Sequence, residues 1–355
     1  MIKKKLLAVA VASTLAAPFA MADVNIYGGI NASVESVKAT GAATAANDVK
    51  SIGRVSSNVS KIGFKGSDDL GNGLKALWQI EQEISIDDGG TRKGSFATRN
   101  SFVGLDGDFG KVLLGNNDTV YKTLGKAGIV NTMADTIADI AGGKDSVFGR
   151  GDSRLTSSVH YLSKSYSGFQ AGASYGFDET RATVGGARTN KAIWSLGASY
   201  NANGIAAGLG YEVRQQANAV AANTDLDKTF LKLSGSYTFG DTKLGLGYER
   251  EKNDLTTGNT TQSAWTVGAE QKFGAVAVGL AYAKLGESKD GAKDGAKQWT
   301  LGATYDLSKR TQTYAFYSRI DNDTKATRTF GNAGFSGVGA GSNPTGIGAG
   351  LKVAF

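Results

Sequence analysis

The most constraining feature of this sequence is a period-two alternation of apolar and polar residues that recurs along most of the chain. Near the start, Val24, Ile26 and Val34 fall on one face, and Asn31 and Ser33 fall on the other. Successive side chains of a β-strand point to opposite faces, so this spacing indicates strands with one apolar face. The same pattern recurs at residues 169–177, 231–239 and 298–307. We therefore predict an all-β fold.

The connections between these runs alternate in length. Tight turns near 107–110 and 239–242 alternate with longer polar segments such as 116–152 and 322–344. Counting the runs between the breaks gives about 16 strands, most of them near the 9 to 11 residues that a tilted membrane strand requires. Short turns at one end and long loops at the other are typical of an outer-membrane barrel.

The apolar face must point outward in a barrel of this size. A lumen enclosed by 16 strands is too wide for side chains to fill, so the polar face would line water and the apolar face would meet lipid. Aromatic residues near the short turns would form a girdle at the headgroup level. These residues are Phe109, Phe169, Tyr200, Phe239, Phe273 and Tyr305. A soluble β-sandwich with an inward apolar face is the alternative interpretation.

Backbone chemistry in hydrocarbon predicts that the sheet is closed. Because every strand edge must be hydrogen-bonded there, we expect Val24–Val34 to pair with the last strand, Gly346–Phe355. The last strand also alternates, with Ile347, Leu351 and Val353 on one face.

Composition excludes several functional classes. The chain has 50 glycines, no cysteine and a single histidine, His160, which removes disulfides, thiolate metal sites and most triad chemistry. Outside the N-terminus, no stretch of 18 or more apolar residues indicates a transmembrane helix. We therefore expect an antiparallel transmembrane β-barrel that is not an enzyme and that has no cofactor and no metal.

The N-terminus has the three parts of a secretory signal peptide. A basic start at residues 3–5 precedes an apolar stretch at 6–19 and the small-residue cleavage site Ala20-Met21-Ala22. We predict a signal peptide over residues 1–22 and a barrel domain over 23–355. Loss of the three lysines lowers the formal net charge from +7 to +4, so no nucleic-acid partner is indicated.

The segment Asn116–Asp152 is the one long interruption of the alternation. It starts and ends at the same rim and, at about 37 residues, is long enough to fold into the opening. Long loops without strands of their own are usually functional or disordered. We expect this segment to constrict a pore, and a mobile surface loop is the alternative.

Five motifs, in order along the chain, resemble a known family. They are Asp23–Gly28, Ser60–Gly66, Asp69–Ala76, Gly107–Val112 and Gly348–Phe355. The sequence resembles the general diffusion porins of Gram-negative bacteria and is most similar to the trimeric porins of β-proteobacteria, including the neisserial ones. This resemblance implies 16 strands, a homotrimer and a third extracellular loop folded inward. It also implies that Phe355 helps the outer-membrane barrel assembly machinery to recognise the last strand.

The resemblance also implies a pore constriction in which basic wall residues face acids of the inserted loop. The basic residues correspond to Lys61, Arg99 and Arg154, and the candidate acids are Asp118, Asp135, Asp139 and Asp145. Lys61 stands where arginine is common, which keeps the charge but loses the planar fork. The alternation places Lys61 toward the lumen and puts Arg154 on one face with Thr156, Ser158 and His160. It does not show which face of the sheet Arg99 is on.

These features together predict a water-filled outer-membrane channel for passive diffusion of small hydrophilic solutes and ions. Outer-membrane lipids would surround it, and charges at the loop constriction would set its selectivity. We expect the short turns and both mature termini to face the periplasm. A barrel that serves mainly as an adhesin or receptor, or as an outer-membrane enzyme, remains the competing interpretation.

Overall fold

A computed structural model describes residues 24–88, 95–179, 183–184, 187–218, 226–332 and 338–355. The predicted signal peptide at residues 1–22 lies outside the described residues. Within those ranges, no helix is long and apolar enough to cross a membrane.

Antiparallel strands account for most of the described chain and form one sheet. They are β1 Asn25–Thr40, β2 Val49–Ser57, β3 Lys61–Gly71, β4 Leu74–Glu83, β5 Ser101–Gly107, β6 Gly110–Asp118, β7 Arg154–Leu162, β8 Phe169–Gly176, β9 Ile193–Ala202, β10 Ile205–Arg214, β11 Lys228–Phe239, β12 Thr242–Leu255, β13 Gly258–Phe273, β14 Val276–Leu285, β15 Ala296–Asp306, β16 Thr311–Asn322 and β17 Asn343–Ala354. A separate ribbon pairs Thr183–Val184 with Ala187–Arg188. The helical elements described are a 3-10 turn, Ala45–Asn47, and one α-helical turn, α1, Val120–Thr123.

The sheet closes on itself through its first and last strands. β1 pairs with β17 from Gly29 opposite Ala354 to Thr40 opposite Asn343. The backbone groups of Gly28 and Phe355 exchange two further hydrogen bonds, of 3.0 and 3.1 Å. The predicted pairing of the first and last strands is therefore confirmed.

The second spanning strand of the barrel is interrupted, which explains why 17 segments build a barrel of 16 strands. β2 pairs with one half of β1, and β3 pairs with the other half. The register differs by one residue across the break, where Val59 has a φ of +57°. An extra residue that shifts the register is the signature of a β-bulge. β2 and β3 are therefore two halves of one strand, and the predicted count of 16 is confirmed.

The two faces of the closed sheet differ as the alternation predicted. On β1, Val34 is 69% exposed whereas the neighbouring Glu35 is 3% exposed. The predicted aromatic residues near the short turns lie on the apolar face, where the rings of Phe169 and Tyr200 are in tilted contact with their centroids 4.5 Å apart. A face of exposed leucine, valine and aromatic side chains requires lipid rather than water around it.

Candidate functional site

The segment between β6 and β7 lies along the polar face of the wall, where glycines leave room for it. Val130 contacts Gly245 and Gly268, and Tyr121 contacts Gly210. A Cβ atom at any of these glycines would lie within 3.0 Å of the segment. We call this set the glycine track; it comprises Gly172, Gly197, Gly208, Gly210, Gly245, Gly247, Gly268, Gly279, Gly302 and Gly346. The glycines of these strands therefore seat the segment against the wall.

Buried charges fix the end of the segment to β11 and β12. Asp152 bonds Lys232, which also lies 3.4 Å from Glu249. Glu249 accepts hydrogen bonds from the hydroxyl of Tyr121 at 3.0 Å and from the backbone N–H of Arg150 at 2.9 Å. The side chains of Lys232 and Glu249 are fully buried. Buried charges are tolerated when they are paired in this way, and removing one partner is strongly destabilising.

The start of the segment is fixed by a capped helical turn. Thr119 caps α1 by accepting a hydrogen bond from the backbone N–H of Lys122 at 3.3 Å, as threonine does at helix N-termini. The backbone N–H of Val120 donates to the Ser174 hydroxyl at 3.0 Å, and this hydroxyl also contacts His160 at 2.8 Å. His160 is therefore a buried wall residue that supports α1.

Two of the predicted basic residues share one wall carboxylate. Arg99 donates to Glu81 at 2.6 Å and lies 3.4 Å from Glu83. Lys61 lies 3.6 Å from the other oxygen of Glu81. Arg99 precedes β5 instead of lying in it, so the alternation of that strand carries no information about its direction.

The third predicted basic residue forms a separate cluster. Arg154 lies 3.1 Å from Asp118 and donates to Asn100 at 2.7 Å, and Asp118 also binds Lys122 at 2.8 Å. The assignment of Asp118 to the inserted loop is wrong, because Asp118 is the last residue of β6 and pairs with Arg154 across the ladder.

The predicted common face of Arg154, Thr156, Ser158 and His160 is also wrong. Ser157 has a φ of +47°, and the register of β6 and β7 shifts at this point. Thr156 is consequently exposed while Ser158 and His160 are buried. A β-bulge of this kind reverses the phase of the alternation.

A space of about 230 Å³ lies between the segment and the opposite wall. Arg99 and Glu83 line it from the wall, and Asp135 and Asp139 line it from the segment. Further charged residues of its lining are Lys122, Lys126 and Asp152. Charges of both signs therefore line this space, and the segment contributes lysines as well as acids. Of the three predicted basic residues, Arg99 lines it, whereas Lys61 and Arg154 do not.

Within this lining the lysines are more exposed than their acidic partners. The side chains of Lys122 and Lys126 are each 28% exposed, whereas that of Asp152 is 4% exposed. Lys126 lies 2.6 Å from Asp152 and donates to the carbonyl of Ala141 at 3.0 Å. The ammonium groups of Lys122 and Lys126 are therefore more exposed than the carboxylates with which they pair.

The carboxyl groups of the segment differ in their affinity for a proton. Burial raises the pKa of Asp139, although Lys126 and hydrogen bonds from Asn131 and the backbone oppose this effect. Burial acts in the same direction on Asp152, but Lys126 and Lys232 outweigh it, so the pKa of Asp152 is lowered. Asp139 consequently takes up a proton before Asp152 as the pH falls.

The remaining predicted site residues lie elsewhere. Asp145 is exposed and bonds Lys144 at 2.6 Å; it does not line the space described above. Phe355 lies at the barrel seam, where its ring occupies the room beside Gly28. The sequence interpretation missed Lys122 and Lys126, whose only sequence signal is that they lie four residues apart shortly after the helix-capping residue Thr119.

A closed barrel with an apolar outer face and charged residues on its polar face defines a channel-forming outer-membrane protein. The sequence matches the Gram-negative porin family over residues 7–325. The chain belongs to this family, and it is an outer-membrane channel for passive diffusion.

Individual relatives agree with this assignment. Outer membrane porin protein 32 of Delftia acidovorans is 32% identical over 78% of this chain and 79% of its own length. The major outer membrane protein P.IB of Neisseria meningitidis serogroup B is 30% identical over 87% of this chain and 90% of its own length. The solved structure of an anion-selective porin from Comamonas acidovorans has a TM-score of 0.78 and 27% identity, and covers 94% of this chain and 100% of its own.

Proposed function

We propose that the segment 119–153 folds into the lumen and narrows the passage at the space lined by Arg99, Lys122 and Lys126. The observation that carries this proposal is the juxtaposition of charges from the segment and from the wall around about 230 Å³. The glycine track and the buried pair of Lys232 with Glu249 support it, because they fix the segment along the polar face.

We further propose a weak preference for anions at this constriction. Of the acids that line it, Glu83 and Asp152 form ion pairs and Asp139 is buried, whereas Lys122 and Lys126 keep part of their surface in the passage. Lys61, beside Glu81, is also more exposed than its partner. The similarity to an anion-selective porin supports the same preference.

The test reverses two exposed charges, Lys61→Glu with Lys122→Glu, and measures the zero-current potential of the purified channel in a salt gradient. A unit charge about 5 Å from an ion is worth roughly 1 to 3 kcal/mol at effective dielectrics of about 80 to 20. We expect the permeability ratio to move toward cations by about fivefold or more. The matched control is Lys309→Glu with Arg310→Glu, since both residues are exposed in a short turn. An equal shift in the control, or no shift in the variant, would contradict the proposal.

A deletion tests the constriction independently of charge. Removal of residues 127–142 takes away the middle of the segment and should raise single-channel conductance. Unchanged conductance in a correctly folded barrel would show that the segment does not narrow the passage.

The orientation and assembly follow from the same proposal. The long connections face the outside, and the short turns and both mature termini face the periplasm. Cysteines at Ser288 and Gly107 test this: an impermeant thiol reagent on intact cells should label the first and spare the second.

We also propose a homotrimer, which unheated detergent samples should retain and boiling should dissociate. We also propose that the chain is a channel without enzymatic activity. The outer-membrane barrel assembly machinery recognises the last strand at Phe355. Residues 1–22 are removed as a signal peptide.

A further inference from the structure

A lysine and two carboxyl groups meet where the segment between β6 and β7 returns to the wall. Lys232 lies directly opposite Glu249 on the adjacent strand, and its Nζ atom lies 3.4 Å from Oε2 of Glu249. The same Nζ atom bonds Oδ1 of Asp152, which comes shortly before β7 begins. The side chains of Lys232 and Glu249 are fully buried, and that of Asp152 is 4% exposed. One amine and two carboxyl groups are therefore in contact and shielded from water.

Aromatic rings surround this amine. The Nζ atom of Lys232 lies 4.4 Å from the ring centre of Tyr121 and 5.8 Å from that of Phe148, and both aromatic residues are fully buried. A buried ion pair retains a desolvation cost of several kcal/mol for each charge, of which contacts with ring faces offset about 2 kcal/mol. An amide formed from the same two groups carries no net charge. The surroundings of Lys232 and Asp152 therefore favour the condensed form over the separate ions.

A second lysine contacts the other oxygen of Asp152. The Nζ atom of Lys126 lies 2.6 Å from Oδ2, whereas Lys232 bonds Oδ1. The Lys126 side chain is 28% exposed, so it keeps contact with water, and Lys232 does not. A positive charge at Oδ2 stabilises the negative charge that develops on this oxygen when a nucleophile adds to the carboxyl carbon. Lys126 is therefore placed to stabilise an oxyanion, and Lys232 is placed to act as the nucleophile.

We propose that Lys232 and Asp152 condense to an amide, which ties the end of the segment covalently to β11. The bond between Nζ of Lys232 and Cγ of Asp152 forms, and the bond between Cγ and Oδ1 breaks. Glu249 carries two protons in turn from Nζ to Oδ1, which leaves as water, while Lys126 stabilises the oxyanion at Oδ2. An ammonium and a carboxylate thus give one amide and one water, so the step needs no oxidant, reductant or co-reactant.

Other lysine–carboxylate pairs of the described chain lack these conditions. The side chains of Lys61, Lys122 and Lys228 are between 28% and 36% exposed beside their acidic partners. Water solvates such an ammonium group and favours the ion pair over the amide. The proposed bond rests on the contacts around Lys232 and not on the constriction proposed above.

The test measures the mass of the fully denatured protein, purified from outer membranes, beside that of a Lys232→Arg variant. Arginine keeps the positive charge next to Asp152 and Glu249, but its guanidinium does not lose a proton in proteins and cannot act as the amine nucleophile. We expect the wild type, and not the variant, to be lighter than its sequence by the mass of one water molecule. A tryptic digest of the wild type should contain a branched peptide that joins residues 151–154 to residues 229–243.

Two further variants test the assigned roles. Glu249→Gln keeps the size of the side chain but removes the proton acceptor, and general acid–base catalysis contributes about 10²- to 10⁴-fold in rate. In protein isolated shortly after synthesis, the link should therefore be present in the wild type and absent from this variant. Lys126→Arg is the matched control, because it keeps a positive charge for Oδ2 and leaves Lys232 beside Asp152; it should be linked like the wild type. Circular dichroism shows whether each variant has folded as a barrel.

Each remaining outcome counts against the proposal. A wild-type protein with the full mass of its sequence and no branched peptide would make Lys232 and Asp152 an ion pair only. A link from Asp152 to Lys126, or a link that forms equally fast in Glu249→Gln, would overturn the roles of these residues. The peptide map of the wild type decides even if Lys232→Arg does not fold. The map is independent of conductance, so failure of the link and failure of the constriction are observed separately.

Discussion

Two regions of the wall carry similar ion pairs in different surroundings. On β11 and β12, which we call the anchoring wall, Lys232 and Glu249 are fully buried under the segment between β6 and β7. On β3 and β4, which we call the open wall, Lys61 lies 3.6 Å from Glu81, and the lysine is 36% exposed. The same residue types therefore hold a segment in place on one side and face water on the other.

The two walls differ in how far their charged side chains are removed from water. A buried charge that loses its partner has no water to replace it, whereas an exposed charge is screened by solvent and salt. Substitutions on the anchoring wall should therefore change stability first and conduction as a result. Substitutions on the open wall should change selectivity and leave stability nearly intact.

The largest effect is expected from Glu249→Ala. This change removes the buried carboxylate that Lys232 and Arg150 share, so Asp152 alone remains beside Lys232 and Glu251 alone beside Arg150. An uncompensated buried positive charge remains, and such a loss costs about 3 to 5 kcal/mol. The segment should detach, with a lower unfolding temperature and a higher, noisier single-channel conductance.

Glu83→Ala on the open wall is the control for this comparison. Arg99 keeps its bond to Glu81 at 2.6 Å, and the side chains of Arg99 and Glu83 are 16% and 15% exposed rather than fully buried, so the loss of stability should be smaller than that in Glu249→Ala. Equal losses in the two variants would contradict the distinction between the walls.

An intermediate effect is expected from Gly245→Val. A Cβ atom at this position would meet Val130 and the carbonyl of Gly128, and overpacking of this kind costs about 1 to 3 kcal/mol. The segment should move away from the anchoring wall and narrow the passage, so conductance should fall. Gly235→Val is the matched control on the adjacent strand, because a Cβ atom there meets nothing within 4 Å. The idea of a glycine track fails if both variants conduct and unfold alike.

A smaller effect is expected from lowering the pH. The raised pKa of Asp139, caused mainly by burial, means that it loses its charge before Asp152, whose pKa is lowered. Anion preference should therefore increase as the pH falls from neutrality toward the pH at which carboxyl groups titrate, and Asp139→Asn should remove the part of this increase that comes from Asp139.

The folded state binds the Asp139 proton more tightly than the unfolded state does, so the contribution of Asp139 to stability rises as the pH falls through its folded pKa. Reversal potentials that are independent of pH in the wild type would contradict this assignment.

The smallest effect is expected at the rim. Lys164 lowers the pKa of Asp108 through a hydrogen bond of 2.7 Å between exposed side chains. Asp108→Asn should leave both unfolding temperature and reversal potential unchanged within error, since solvent screens such a pair. A measurable shift in either would mean that exposure does not separate structural from neutral charges in this protein.

The strands of the barrel wall could be predicted from the sequence because the alternation that reveals each strand lies within a few consecutive residues. Alternation along each strand fixes the apolar face, and the need for closure in lipid fixes the partner of β1. The site could not be read in the same way. The bulge at Ser157 reverses the phase that was used for Arg154, and β6 continues to Asp118 beyond the predicted start of the loop. The segment itself has no period that would show Lys122 and Lys126 facing the passage.

The pairing of β1 with β17 has a consequence for the order of folding. When β2 and β3 are counted as the two halves of one strand, all other strand pairings of the barrel join neighbours in sequence, whereas this one joins Gly29 to Ala354. Hairpins with short turns form over short separations, but closing a chain of this length has a larger entropic cost. The barrel can therefore grow strand by strand as a curved sheet with two free edges. The seam between Gly28 and Phe355 is then the final step, and until it forms, each edge can add a strand from another chain.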